Sequence, residues 1–272
     1  MHYYIISGEP SGDLYGSKLM KHLKKYNSDS QFTCWGGIHM DAAGGQIVVD
    51  LESLSYMGFW EVFKNAGFIL KNLSYAQSHI KKTNPDVLIL IDYPGFNLRI
   101  AKYAKKLNIP VYWFIAPQLW AWKGNRIRAM RKYIDKLFVA LPFELDYFKD
   151  RGLKTFYFGH PLLDIAKSKE KLDSSLKLGK PLIALLPGSR KQEIRKILPI
   201  MLGVLPHFLD YRFVIICINN IQRSFYENLI GDLNVELKFN KDILYSVSGA
   251  IVTSGTATLE LAIYKIPQVV CY

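Results

Sequence analysis

Short, continuously apolar runs alternate with longer amphipathic segments along the whole chain, and this alternation is the strongest constraint on its fold. The clearest run is Val-Leu-Ile-Leu-Ile-Asp at residues 87–92. A strand that is apolar on both faces needs cover on both faces, as in a parallel sheet with helices above and below it. The pattern therefore predicts an α/β fold built from doubly wound parallel sheets.

Two arrays of this kind follow one another along the chain. The strands predicted for the first array are 3–7, 32–35, 47–50, 87–92, 111–115, 137–140 and 155–158, with helices over 14–26 and 96–107 between them. Those predicted for the second array are 182–186, 212–218, 235–238, 250–253 and 268–271. We expect two Rossmann-like domains, 1–164 and 181–272, which are joined by a polar, Lys- and Ser-rich linker at 165–180 and face a ligand cleft.

The second array stops within its last predicted strand, two residues after Val270. A buried strand needs a covering helix, so we expect the second domain to be incomplete and the chain to be a truncated form or a fragment.

Composition excludes several classes of protein. Half of the residues are apolar, which excludes a disordered chain. No apolar run approaches the ~20 residues of a membrane-spanning helix, and the N-terminus lacks the pattern of a signal or transit peptide. The three cysteines show no CxxC spacing, which favours a reducing compartment. The net charge is +12, with the densest basic block at 123–136, and this surface would attract anionic lipid, nucleic acid or a phosphorylated substrate.

Two loops in the first array carry candidate functional residues. The loop at 7–13 lacks GxGxxG, which argues against a dinucleotide site, and it could receive a sugar or phosphate through Glu9, Ser11, Gly12 and Asp13. An ordinary turn with an N-cap explains it equally well. Asp92 ends a buried strand before a Pro-Gly turn, where it is well placed as a general base or, alternatively, as a carboxylate that binds turn amides. Asn97 is predicted to be an N-cap.

Two loops in the second array have the features of phosphate sites. Gly188, Ser189 and Arg190 follow a strand and open a helix, which offers free N–H groups and a guanidinium group. Ser254, Gly255 and Thr256 stand at a second helix start, and Glu260 lies one turn further on, where it could bind a ribose diol. Together they predict a site for a nucleoside diphosphate. The histidines show no HxH or HxxxH pair, so we expect no metal site.

Residues 59–73 are predicted to form an amphipathic helix. One broad face includes Phe59, Trp60, Phe63, Ile69 and Leu70. Such a face is usually core. The alternative is a helix that rests on a membrane, since bulky aromatic side chains next to lysines suit the lipid interface.

Taken together, the loops resemble one family. The motifs SGEPSGDLYG, GGIHMDAAG, YMGFWEV, PDVLILIDYPGFN, APQLWAW, PFE, FGHPLLD, LLPGSRKQEI and TSGTATLELA occur in the order and spacing of lipid-A-disaccharide synthase, a glycosyltransferase of the GT-B fold. The resemblance spans essentially the whole chain. It implies a peripheral enzyme on the cytosolic face of the inner membrane that joins UDP-2,3-diacylglucosamine to 2,3-diacylglucosamine 1-phosphate. The reaction inverts the anomeric centre and gives the lipid A disaccharide 1-phosphate and UDP.

The resemblance also assigns roles to residues. It places the proposed base at Asp92 and the donor loops at Gly188–Arg190 and 254–260, with no metal or other cofactor. It implies that an anionic membrane surface is a partner and that nucleic acid is not. It is also compatible with a homodimer of the full-length form. Two departures stand out: Gly95 replaces an acidic residue that many relatives have, and the family continues beyond Tyr272.

Two other hypotheses about the function of the chain remain open at this point. A UDP-sugar 2-epimerase-like enzyme would share the architecture and the UDP loops. The net charge of +12 would also suit a non-catalytic protein, either a nucleic-acid binder or an inactive truncated form that acts only as a peripheral membrane binder.

Overall fold

The computed structural model describes residues 1–51, 66–117, 119, 126–167, 179–219 and 221–272. The chain divides into two units, Met1–Pro161 and Leu162–Tyr272. In the described residues each unit is a parallel sheet whose crossovers are helices, so the predicted α/β fold with two doubly wound sheets is confirmed. A helix, α7 (Pro161–Lys167), crosses the unit boundary and enters the stretch predicted as a linker, of which 168–178 lie outside the described residues.

The first unit holds a seven-stranded sheet of order β3-β2-β1-β4-β5-β6-β7 in its described residues. Its strands are β1 His2–Ser7, β2 Gln31–Gly36, β3 Gln46–Asp50, β4 Val87–Ile91, β5 Val111–Phe114, β6 Lys136–Val139 and β7 Thr155–Tyr157. Its helices are α1 Pro10–Tyr26, α2 Ile38–Ala42, α3 Ala66–Thr83, α4 Pro94–Lys106, α5 Arg126–Tyr133 and α6 Pro142–Lys149. The strand order reverses between β1 and β4, which is where α/β sheets place their ligands.

Strand β4 shows why its sequence is apolar throughout. Leu88 and Leu90 point into one hydrophobic cluster, while Ile89 and Ile91 point into another on the opposite face of the sheet. All five residues of the strand are buried. Burial of a Leu or Ile side chain contributes about 1.5–3 kcal/mol, so β4 anchors both layers of the unit.

The second unit holds a five-stranded sheet of order β10-β9-β8-β11-β12 in its described residues. Its strands are β8 Leu182–Leu186, β9 Arg212–Ile216, β10 Glu236–Lys238, β11 Gly249–Thr253 and β12 Gln268–Cys271. Its helices are α8 Lys191–Leu202, α9 Arg223–Ile230 and α10 Thr256–Ile263, with 3₁₀ turns at Leu205–His207 and Lys241–Ser246. Here the strand order reverses between β8 and β11. Every predicted strand of both units is present, and no strand end differs from its prediction by more than two residues.

The helices differ more from their predictions than the strands do. Helix α1 begins at Pro10 rather than Leu14, because proline in the first turn has a preset φ and needs no hydrogen-bond acceptor for its nitrogen. Helix α4 begins at Pro94 for the same reason. No helix among the described residues has the length and apolar character needed to cross a membrane.

The predicted amphipathic helix 59–73 is only partly described. Phe59, Trp60 and Phe63 lie outside the described residues, so their role on a membrane stays a prediction. Helix α3 continues to Thr83, well beyond the predicted end. Ile69 packs against the core, but Leu70 is 65% exposed, so these two residues do not share one environment.

Candidate functional site

The loops that follow β1 and β4 lie side by side in the first unit. The two strands are parallel neighbours, with Ser7 opposite Ile91, so the segments after them leave the sheet at the same edge. Gly8 and Tyr93 are in close contact, since a Cβ atom built on Gly8 would lie 2.5 Å from Tyr93 Cγ. Glycine is therefore required at this position, and the contact brings Glu9 and Asp92 into the same region.

Asp92 has a strained backbone. Its φ angle is +48°, and that of Tyr93 is +49°, so two consecutive residues with side chains adopt the left-handed conformation. This conformation costs about 1–2 kcal/mol per residue outside glycine. The strain is greater for Tyr93, because a residue that precedes proline normally favours an extended backbone. Strain of this kind clusters at functional sites, where the surrounding structure holds it in place.

The environment of Asp92 favours the protonated carboxyl. Burial raises the pKa of Asp92 to about 6, the negative charge of Glu9 adds to the increase, and a hydrogen bond from the Tyr93 backbone amide opposes it. A carboxyl with a pKa near neutrality can take up a proton during a reaction and return it to water. Asp92 therefore binds a turn amide, as one of its two predicted roles requires, and its role as a general base stays a prediction with which the raised pKa is compatible.

The other residues of the loop at 7–13 fall into two groups. Glu9 and Ser11 are half-buried at the sheet edge, where they stay candidates for contact with a sugar. Gly12 is buried and packs against the Ser7 side chain, which places α1 close to the sheet.

Asp13 binds within the protein, contrary to the prediction that it faces a ligand. It is 3% exposed, and its carboxylate accepts hydrogen bonds from the amides of Gly37 (2.8 Å), His39 (3.0 Å) and Met40 (3.0 Å). A carboxylate at the start of a helix satisfies amides that have no partner in the helix and interacts favourably with its dipole. Asp13 therefore fixes α2 against α1.

The loops that follow β8 and β11 lie side by side in the second unit. These strands are parallel neighbours, with Leu186 opposite Val252, so Gly188–Arg190 and 254–256 leave the sheet at the same edge. Each loop leads into the first turn of a helix, α8 or α10. Ser189 and Arg190 are exposed, as are Ser254, Gly255 and Thr256. Two helix N-termini at one edge favour an anionic group there.

Glu193 shapes the loop before α8. Its Oε2 atom accepts a hydrogen bond from the Ser189 amide at 3.0 Å, and its Oε1 atom lies 3.7 Å from Arg190 Nη1. Gly188 has a φ of +126°, and a Cβ atom there would lie 2.8 Å from Glu193 Oε2, so only glycine fits. Glu193 thereby holds the Ser189 amide and the Arg190 guanidinium close together, as a phosphate group would.

Glu260 forms an ion pair in the first turns of α10. Its Oε2 atom lies 2.6 Å from Lys241 Nζ, and its side chain is 12% exposed. A carboxylate that is held in this way keeps one oxygen available as an acceptor for a hydroxyl pair. The sequence had not indicated Lys241, which comes from a different loop.

The described residues contain no group of three or more His, Cys, Asp or Glu side chains that could hold a metal ion. The absence of a metal or other cofactor from the reaction stays a prediction of the sequence.

Comparison with known proteins identifies the family. The profile of the family described as lipid-A-disaccharide synthetase matches residues 3–272. The chain belongs to the lipid-A-disaccharide synthase family. Lipid-A-disaccharide synthase 1 of Legionella pneumophila (strain Lens) is 36% identical over 282 residues, which cover 98% of this chain and 73% of that relative. The lipid-A-disaccharide synthase of Coxiella burnetii (strain CbuK_Q154) is 33% identical over 278 residues, which cover 98% and 74%.

Solved structures show the same fold at low sequence identity. UDP-GlcNAc 2-epimerase from Neisseria meningitidis, bound to UDP-GlcNAc, has a TM-score of 0.67 and 16% identity, and the likeness covers 99% of this chain and 82% of that one. The glycotransferase of kitacinnamycin has a TM-score of 0.66 and 14% identity, with 99% and 80% covered. The GT-B fold is thereby confirmed, and the epimerase likeness reflects that shared fold.

Family membership confirms the overall prediction, whereas the individual site residues stay predictions. The family is one of UDP-sugar glycosyltransferases in lipid A biosynthesis, as the nine motifs indicated. One local prediction is wrong: Asn97 is not an N-cap. The N-cap of α4 is Tyr93, and Asn97 lies inside the first turns of the helix. The sequence had no signal for Tyr93, because a left-handed tyrosine before proline is not a pattern that residue types reveal.

The raised pKa of Asp92 predicts that this residue destabilises the folded protein. Because the folded carboxyl binds its proton more tightly than the unfolded one, the penalty is full above pH 6 and disappears as the pH falls below about 4. We expect Asp92→Asn to raise the free energy of unfolding by about 1–3 kcal/mol at pH 8 and by much less at pH 4. Urea denaturation at both values tests this. Asp29→Asn, at an exposed site, is the matched control, and a pH-independent difference would contradict the assignment.

Proposed function

We propose that this protein transfers a diacylated glucosamine from its UDP donor to the 6-hydroxyl of diacylglucosamine 1-phosphate, with inversion at the anomeric carbon. The residue assignment rests on Asp92 at the carboxyl end of β4, which is half-buried, has a strained backbone and has a pKa raised to about 6. Membership of the lipid-A-disaccharide synthase family supports this choice of substrates.

Asp92 acts as the general base in this proposal. Its carboxylate accepts the proton of the acceptor hydroxyl while that oxygen attacks the anomeric carbon from the side opposite UDP. Burial and, to a smaller extent, the negative charge of Glu9 make the proton affinity of Asp92 higher than that of an ordinary aspartate. A higher proton affinity makes the carboxylate a stronger base in the transition state.

The donor binds at the loops before α8 and α10. As the bond to the sugar breaks, negative charge develops on the diphosphate. The Arg190 guanidinium, the Ser189 amide and the two helix N-termini can stabilise that charge, because their dipoles already point to the edge of the sheet. The diphosphate takes the place of Glu193 as partner of Ser189 and Arg190, and Glu260 accepts the ribose hydroxyls.

A peripheral position on an anionic membrane completes the proposal. Ile127 and Met130 of α5 are buried, whereas Arg128, Arg131 and Lys132 are exposed. A basic helix face of this kind attracts anionic lipids. Both substrates carry acyl chains, so an enzyme held at the cytosolic surface can act on them without extracting them from the bilayer. The aromatic residues around Trp60 are a second candidate for membrane contact, and this candidate rests on the sequence alone.

The base assignment predicts the rate and its pH dependence. Loss of a general base typically costs about 10²–10⁴ in rate, so Asp92→Asn is expected to lower kcat by that factor. In the parent protein kcat/KM should fall as the pH drops below about 6, because protonated Asp92 cannot accept the hydroxyl proton. Release of UDP in the presence of both lipid substrates measures the rate. Asp29→Asn should keep the parental rate, and an Asp92→Asn rate within a few-fold of it would refute the role.

The donor site predicts a specific effect of Arg190. Arg190→Ala should weaken UDP binding about tenfold or more, and Arg190→Lys should restore little of it, because an ammonium group cannot form the paired hydrogen bonds of guanidinium. Calorimetry with UDP measures the affinity. Arg212→Ala, which removes an equally exposed arginine paired with Glu236 in the same unit, is the control. Equal UDP affinity in the parent and the three variants would show that Arg190 does not contact the diphosphate. In a separate measurement, loss of UDP binding on addition of EDTA would contradict the metal-free assignment.

Membrane binding is expected to depend on salt and on α5. Each basic group near an anionic surface contributes about 1 kcal/mol, and salt screens the interaction. Replacement of Arg128 and Lys132 by Ser should therefore lower the partition onto phosphatidylglycerol vesicles about tenfold or more in a sedimentation assay. Replacement of Lys21 and Lys25 on α1 by Ser makes the same change in charge elsewhere on the unit. An equal effect of both pairs would show that only the net charge matters.

A further inference from the structure

The turn at Asp92 and Tyr93 needs a restraint that the turn itself does not supply. Both residues have positive φ angles, and neither is glycine. The Tyr93 ring stacks on Phe96, with ring centroids 5.2 Å apart. That contact holds the Tyr93 side chain but leaves the carbonyl of Asp92 without a restraint, and the orientation of this carbonyl decides the backbone conformation of the turn.

Asn97 binds the backbone on the strand side of this turn. Its Nδ2 atom donates to the carbonyl oxygen of Asp92 at 2.7 Å and to that of Ile91 at 3.3 Å. Its backbone amide donates to the carbonyl oxygen of Tyr93 at 3.0 Å. One residue thus binds three consecutive carbonyl groups, from the last residue of β4 to the residue before α4.

The side chain of Asn97 is poorly explained by packing alone. Asn97 is completely buried, and its Oδ1 atom has no hydrogen-bond partner in the described part of the chain. A leucine at this position has the same branched skeleton and would bring no unpaired amide oxygen, but it would remove the donor to the carbonyl oxygen of Asp92. The amide group is therefore useful for its two N–H donors, both of which bind the turn.

We propose that Asn97 is a positioning residue that holds the Asp92–Tyr93 turn in its left-handed conformation and so directs the Asp92 carboxyl. The catalytic consequence rests on the proposed function of Asp92 as a base, whereas the conformational consequence does not. Without the two side-chain hydrogen bonds, the Asp92 backbone is free to return to negative φ. The carboxyl then turns away from its half-buried position near Glu9.

The first test observes Asp92 directly and needs no turnover. In protein labelled with ¹³C at aspartate, the carboxyl shift gives the pKa of Asp92, and its Cα and Cβ shifts report the backbone conformation. The parent should titrate at about 6 with shifts of a left-handed residue. In Asn97→Leu we expect the pKa to fall towards about 4, the usual value for aspartate, together with a change in the Cα and Cβ shifts.

Two controls separate positioning from other effects. Glu9 is the charged side chain that acts on Asp92 among the described residues, so Glu9→Gln should lower the pKa of Asp92 and leave its Cα and Cβ shifts unchanged. Thr155→Val removes another buried side-chain donor of the same unit, which binds the carbonyl oxygen of Leu153 at 3.1 Å. This variant should change neither quantity, even if it lowers the melting temperature as much as Asn97→Leu does.

The second test measures turnover in the same variants. A misplaced base should lower kcat about 10- to 100-fold in Asn97→Leu with little change in KM, and Thr155→Val should keep the parental kcat. A folded Asn97→Leu whose Asp92 pKa and shifts match the parent overturns the proposal. If Asn97→Leu and Asn97→Ala both fail to fold while Thr155→Val folds, Asn97 has a general structural role, and the proposal is also overturned. If Asp92→Asn remains active while Asn97→Leu alters the Asp92 shifts, the assignment of the base fails and the positioning role stands.

Discussion

The parallel pairing of β1 with β4 determines where the candidate base of the first unit lies. Backbone hydrogen bonds fix Ser7 opposite Ile91, so the residues that follow the two strands leave the sheet at the same edge. Gly8 permits the close approach of Tyr93, and the pKa of Asp92 is raised first by its burial at this edge and then by the charge of Glu9. A shift of the register by one residue would exchange the two faces of β4 between its two hydrophobic clusters. Packing of β4 in the core therefore fixes the strand register and, with it, the position of Asp92.

The same pairing explains why the unfavourable interactions of the first unit are concentrated at Asp92 and Tyr93. A desolvated carboxyl beside a second carboxylate and a left-handed turn before proline each destabilise the folded chain. The apolar residues of β4, which pack on both faces of the sheet, offset these costs. The second unit uses a different arrangement. There Glu193 holds Arg190 through an exposed ion pair, which a ligand can replace at small cost, while Lys241 holds Glu260 in place.

Much of this arrangement follows from the sequence, because the strands here form from short, continuously apolar runs. Val87–Ile91 and Leu182–Leu186 could be predicted almost to the residue, and so could the loops after them. The role of Asp13 could not, because the amides that it binds belong to α2, which begins 25 positions further along the chain at Ile38. The same holds for Lys241, whose partner Glu260 lies on another element. The backbone conformation of Tyr93 and the contacts of Asn97 depend on a local strain that residue types do not encode.

The central claim is that this chain is a transferase and not an epimerase, with which it shares the fold. The most direct measurement supplies radiolabelled UDP-diacylglucosamine with and without diacylglucosamine 1-phosphate and separates the products. The account predicts UDP release and a labelled β-1,6-linked disaccharide 1-phosphate that form only when the acceptor is present. A labelled 2-epimer of the sugar nucleotide that forms without acceptor, and no disaccharide with it, would contradict the account.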